Sequence, residues 1–134
     1  MKIIQFIILL MFSSPGWSCV CEEISDGTAF REAKSVLIVQ ITSTEFKERV
    51  EERSMDYVSA KFKVIEVIKG KPGKLNEIRT LKSICELPLV AGELYIIFSR
   101  GSKYESINTC TNSSWINLKR DKERIDVVRG LGRR

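Results

Sequence analysis

The sequence predicts a mainly β fold: a small barrel of five short strands, with one short helix before it and an amphipathic helix after it. Three features point there. The apolar residues between positions 35 and 108 fall into short runs rich in Val, Ile, Leu, Tyr and Phe, separated by turn chemistry. The chain has 134 residues, enough for one domain and too few for two ordinary ones. Four cysteines and no histidine follow a leader of export type, the usual setting of a disulfide-stapled domain.

The leader comes first. Lys2 supplies a positive start, residues 3–12 are apolar apart from one Gln, and Ser13-Ser14-Pro15-Gly16 breaks the run. Gly16 and Ser18 put small residues three and one places before Cys19. Residues 1–18 therefore read as a signal peptide and 19–134 as the mature domain, secreted to an extracellular or periplasmic space. The apolar run is about half the ~20 residues a membrane crossing needs, so no stable span is expected in the mature chain. A buried N-terminal helix is one other reading. A lipid-anchored Cys19 is another, although such a signal favours Leu or a similar residue where Gly16 stands.

Asp26-Gly27-Thr28 offers turn and helix-cap chemistry, and Ala29, Phe30 and Ala33 follow at helical spacing. Val36-Leu37-Ile38-Val39 and Ile41 form the first strand, over residues 35–44, buried on both faces at its start. A charged hairpin or loop spans 45–55. From Tyr57 the period becomes two, and this strand runs through Val67-Ile68 to the turn Lys69-Gly70-Lys71-Pro72-Gly73. Residues 77–81, 94–98 and 104–108 are the remaining strands. Ser113-Ser114-Trp115 is expected to leave the sheet, with Trp115 as a core plug under the last helix. Leu118, Ile125, Val128 and Leu131 mark the apolar face of that helix, and Gly130 and Gly132 its end. The strand count fits a Greek-key OB-type barrel; a sandwich would usually want seven strands.

The net charge is +5, with both signs mixed along the chain, as in Glu45-Phe46-Lys47-Glu48-Arg49. A nucleic-acid groove would want a single-signed stripe interleaved with aromatics, so no nucleic-acid partner is expected. The absence of histidine removes the usual serine and cysteine triads and most catalytic zinc sites. No pair of carboxylates is spaced as an acid and a base. The chain therefore does not read as an enzyme, and no cofactor is implied. Asn112-Ser113-Ser114 is a glycosylation sequon.

Behind an export signal the four cysteines favour two disulfides over a metal site. Direct pairing of Cys19 with Cys21 closes a tight, strained ring. Each of these then takes one of Cys85 and Cys110, in either combination. Such bridges close long loops, and each stabilises by about 4 kcal/mol on the chain-entropy argument.

Taken together, these residues resemble the N-terminal, netrin-like domain of the tissue inhibitors of metalloproteinases, in a short single-domain form. Cys19-Val20-Cys21 resembles the Cys-x-Cys that opens those mature inhibitors. Residues 29–36, Ala-Phe-Arg-Glu-Ala-Lys-Ser-Val, are similar to their first helix and strand, and residues 62–70 to their second strand with its Lys-Gly turn. Ser83-Ile84-Cys85 looks like the loop lying beside the N-terminus. Residues 91–97 resemble the segment after it, and Cys110 with Trp115 the closing segment. The likeness covers residues 19–118. Arg31 stands where the animal inhibitors carry a further cysteine, Glu22-Glu23 replaces an apolar residue and a proline, and their C-terminal domain has no counterpart.

The resemblance implies the pairing Cys19–Cys85 and Cys21–Cys110. It also implies a function, inhibition of a zinc metalloprotease partner. In the family, the free α-amine and carbonyl oxygen of the first residue, here Cys19, form a five-membered chelate with the protease's catalytic zinc and displace its water. An α-amine titrates near ~7.7–8.0, so a usable fraction is neutral at physiological pH. Val20 would enter the main specificity pocket. Val20 and Cys21, with Ser83, Ile84 and Cys85, would form the contact ridge. The alternative is a non-inhibitory extracellular protein-binding module on the same fold, in which the bridges are staples only.

Overall fold

The computed structural model describes residues 18–48 and 55–134. The signal-peptide reading therefore lies, apart from Ser18, outside the described residues, as do positions 49–54 of the expected charged loop.

The chain builds one curled sheet and two short helices. In chain order these are α1 (Asp26–Glu32), β1 (Ser35–Lys47), β2 (Tyr57–Lys69), β3 (Glu77–Leu81), β4 (Leu94–Ser99), β5 (Tyr104–Ser106), β6 (Ser114–Ile116) and α2 (Lys122–Leu131). The strand order is β5-β3-β2-β1-β4-β6, antiparallel except for the parallel pair β3 and β5.

The sheet has six strands where the sequence reading has five, and among the described residues no ladder joins β5 to β6. It is an open half-barrel rather than a closed one. The additional strand is β6, from the stretch expected to lead out of the sheet. Its three residues are too few to show a period, and only pairing with β4, Trp115 opposite Tyr95, defines it.

β1 is the spine. It pairs with β2 from Val36 to Lys47 and with β4 over residues 35–40. Its ladder to β2 has irregularities at Val36/Leu37, Ile38/Val39 and Ile41/Ser43. Such bulges raise local twist and bend the strand, which accounts for the curl. Alternation sends Leu37, Val39 and Ile41 to one face, packed with Ala60, Ile78, Tyr95 and Ile97. Val36 and Ile38 take the other face, covered by Phe30 of α1 and by Ile125 and Val128 of α2. Both faces are thus buried at the start of β1.

The N-cap of α1 is Ser25, whose Oγ accepts from the Thr28 amide at 3.1 Å. Its C-terminal end is finished by Lys69 from β2: Nζ donates to the carbonyls of Phe30 and Ala33 at 2.6 Å each and lies 5.0 Å from the Phe30 ring centre. A cation there answers carbonyls that have no partner within the helix. Gly70 follows with φ +66°, and a Cβ there would meet the Lys34 carbonyl oxygen at 2.2 Å, so only glycine fits the turn.

In α2, Arg129 makes a two-point ion pair with Glu66 of β2, at 2.9 and 2.7 Å. Leu118 lies before this helix and is exposed, because Asn117 and Asp121 organise a turn there: the Asn117 amide donates to Asp121 Oδ2 at 2.7 Å. Gly130 lies within the helix, and Gly132 is its cap. Trp115 is no core plug. Its ring faces outward, Nε1 donates to Glu93 at 2.8 Å and the Arg120 guanidinium stacks 4.5 Å from the ring centre. Strand alternation, with Ile116 buried beside it, sends Trp115 to the open side. No helix among the described residues is long and apolar enough to cross a membrane.

Candidate functional site

Residues 19–26, the stretch that enters α1, are fastened at three places. Cys19 is bonded to Cys85 and Cys21 to Cys110, with Cα separations of 5.3 and 5.1 Å. The bridges touch: Cys19 Sγ lies 3.3 Å from Cys110 Sγ. Three sulfurs gather closely enough to hold a metal, but all are oxidised and offer no thiolate.

Cys85 is carried on a turn after β3. The Cys85 amide donates to Ser83 Oγ at 3.2 Å, and the Glu86 amide to the Ser83 carbonyl at 3.1 Å. Two buried side chains hold this turn and the chain after it. Thr80 Oγ1 accepts from the Leu87 amide at 3.2 Å, and the Tyr95 hydroxyl donates to the Pro88 carbonyl at 2.7 Å. Cys110 lies on a loop that bonds to itself: its amide donates to Asn108 Oδ1 at 2.8 Å, and Thr111 Oγ1 to the Asn108 carbonyl at 2.9 Å. The Thr109 amide donates to the Cys85 carbonyl at 2.9 Å, joining the two cysteine-bearing loops.

On this base Val20 stands out to solvent, 90% exposed, between two bridged neighbours. Ile84 is 64% exposed next to the Cys85 end of the first bridge. Ser83, Cys21, Glu22 and Glu23 are exposed, while Cys19 and Cys85 are half-buried. The bridge brings Ser83-Ile84-Cys85 against Cys19, so the residues picked from the sequence gather around one tethered segment.

The third fastening was not legible in the sequence. Asn112 Nδ2 donates to the Ile24 carbonyl and to Asp26 Oδ1, both at 2.9 Å. Arg124 of α2 grips the other side: Nε to Asp26 Oδ2 at 2.7 Å, Nη2 to Asp26 Oδ1 at 2.9 Å, Nη1 to Ser114 Oγ at 2.6 Å, and Nη2 to the Asn112 carbonyl at 2.7 Å. The Arg124 hydrogen bonds hold the Asp26 carboxyl below its ordinary range, aided by Asn112 and opposed by burial. Asn112 Nδ2, the atom a glycan would take, spends both hydrogens here. Asp26 is the first helical residue and an ion-pair partner, where the sequence suggested a cap.

Beneath this segment a recess of about 340 Å³ is lined by Ile24, Ala29, Ala33, Phe98, Glu105 and Asn112, among others. Burial pushes the Glu105 carboxyl up, against hydrogen bonds from the Arg100 amide and Ser99.

Among known proteins, no family model and no curated sequence matches this chain.

Proposed function

We propose that the chain is a secreted inhibitor of zinc metalloproteases, its half-barrel a netrin-like variant of the OB-type barrel. Cleavage before Cys19 frees an α-amine that, with the Cys19 carbonyl oxygen, chelates the partner's catalytic zinc and displaces the attacking water. Val20 fills an apolar pocket beside that zinc. Ser83 and Ile84 form the second edge of the contact, with Cys21 and Cys85 as its supports. The protein contributes no catalysis of its own.

The observation that carries this reading is Val20, 90% exposed between two cysteines that are both bridged to distant loops. An apolar side chain held out between two covalent tethers has lost part of its freedom before binding, which lowers the ordering cost a floppy terminus would meet.

Intact mass and N-terminal sequencing of the secreted protein should find Cys19 first, with an unmodified amine and both bridges formed. A different first residue, or an acylated amine, overturns the mechanism. With Cys19 free, the protein should inhibit at least one enzyme in a metalloprotease panel. Carbamylating the amine, or adding one residue before Cys19, should abolish that inhibition.

The second reading, a non-inhibitory extracellular binding module, is favoured by one feature. On its outer side β2 pairs with β3 only over residues 57–60, so among the described residues its remaining length carries no partner on that edge, and Val64, Ile65 and Val67 are exposed. An extended partner segment can add there as a strand. Capture of a protein partner that survives carbamylation of Cys19 but is lost with Ile65→Asp would favour this reading.

A further inference from the structure

The two bridges pin the N-terminal segment at Cys19 and Cys21. A segment pinned at two points can still pivot about the line joining them. Residues 22 and 23 are exposed, and Ser25 serves its own helix as a cap. A third hold, off that line, is the contact at Ile24 and Asp26, made by Asn112 from the loop beyond Cys110 and by Arg124 from α2.

We propose that Asp26, Asn112 and Arg124 are positioning residues that fix the pose of the N-terminal ridge, so that the C-terminal helix sets how Val20 is presented. The consequence for inhibition rests on the inhibitor reading above; the positioning itself rests on the geometry alone.

Three details make this cluster more than a tie between helices. Asn112 bonds the main chain at Ile24, so it holds backbone direction as well as a side chain. Arg124 makes four hydrogen bonds to three residues, using both Asp26 oxygens, which a planar guanidinium does in one orientation and an ammonium cannot. The pair is partly withdrawn from water, with side-chain exposures of 33% for Arg124 and 22% for Asp26, so it is screened less than a surface pair. Asn112 also lies two residues from Cys110, so the second and third fastenings share one self-bonded loop.

The test is backbone ¹⁵N relaxation on the secreted protein and on Asp26→Asn, Asn112→Asp and Arg124→Lys. In the wild type, the amides of residues 20–23 should show order parameters near ~0.85, and in each variant these should fall below ~0.6. Residues 36–39 of β1 should stay at their wild-type values. Against a protease that the wild type inhibits, the variants should weaken inhibition at least ~10-fold, mainly through faster dissociation. Unchanged order parameters at 20–23, a wild type already mobile there, or an equal fall in β1 would overturn the proposal. The three variants differ in shape and charge, so a folding defect in one leaves the others to decide. If the wild type inhibits no protease, the inhibitor reading fails, while the relaxation data still decide the positioning.

Discussion

Cys19 Sγ rests 3.3 Å from Cys110 Sγ, so the Cys19–Cys85 bridge leans on the Cys21–Cys110 bridge. The Cys19–Cys21 segment, the turn after β3 and the loop after β5 therefore meet at one cluster of sulfur atoms. Contact of this kind predicts that the bridges do not act independently. Replacing Cys21 and Cys110 by Ala should cost about 2–5 kcal/mol, and replacing Cys19 and Cys85 a similar amount. Removing all four should cost less or more than the sum by over ~0.5 kcal/mol, as neighbouring sites do. Denaturant unfolding of the three variants measures this, and strict additivity would show the sulfur contact to be energetically empty.

Two carboxyls should give opposite pH signatures. The Arg124 hydrogen bonds hold Asp26 below its ordinary value, so its contribution is present above the usual aspartate range and lost as pH falls through the lower folded value. Asp26→Asn should cost about 1–3 kcal/mol at neutral pH, and the gap should close in acid. Burial raises Glu105, so its contribution is present below the usual glutamate range and lost as pH rises through the raised folded value. Glu105→Gln should therefore stabilise at neutral pH and remove that part of the slope. Unfolding free energies across pH 2–8 would refute either half if the slope ran the other way.

At Gly70 the Cβ of an alanine would meet a backbone oxygen at 2.2 Å with φ at +66°. Gly70→Ala should destabilise by more than ~2 kcal/mol. Gly92→Ala meets nothing within 4 Å at φ +89° and should cost about 1 kcal/mol. Thermal or denaturant midpoints giving equal costs would contradict the steric account.

Val20→Gly should leave stability within ~0.5 kcal/mol, because the side chain touches little. The same change should weaken metalloprotease inhibition at least ~10-fold if Val20 enters a pocket. A loss of stability with inhibition intact would assign Val20 a structural role instead.

Much of the fold was legible because its signals are local. Period two marks β2, the β-branched run marks the start of β1, buried on both faces there, and β3 falls on the expected residues, Glu77–Leu81; residues 45–47, expected in the charged loop, instead extend β1 to Lys47 through pairing with β2. What escaped depends on distance. β6 exists only through its pairing with β4, so the sequence alone points Trp115 to the core although pairing turns it outward. Leu118 continued the helical spacing in sequence but precedes a side-chain-organised turn that delays the helix to Lys122. In the candidate site, Cys-x-Cys and Ser-Ile-Cys stood out because cysteines announce themselves. Asp26, Asn112 and Arg124 are ordinary polar residues separated by up to 98 positions, and no local pattern joins them.

The three fastenings of the N-terminal segment draw on Cys85, Cys110, Asn112 and Arg124. During synthesis residues 19–26 emerge before their holders, Arg124 being 98 positions behind Asp26. The third fastening of this segment can therefore form only after Arg124 has been made. A chain released before Arg124 carries the complete Cys19-Val20-Cys21 triplet and lacks the Arg124 ion pair to Asp26.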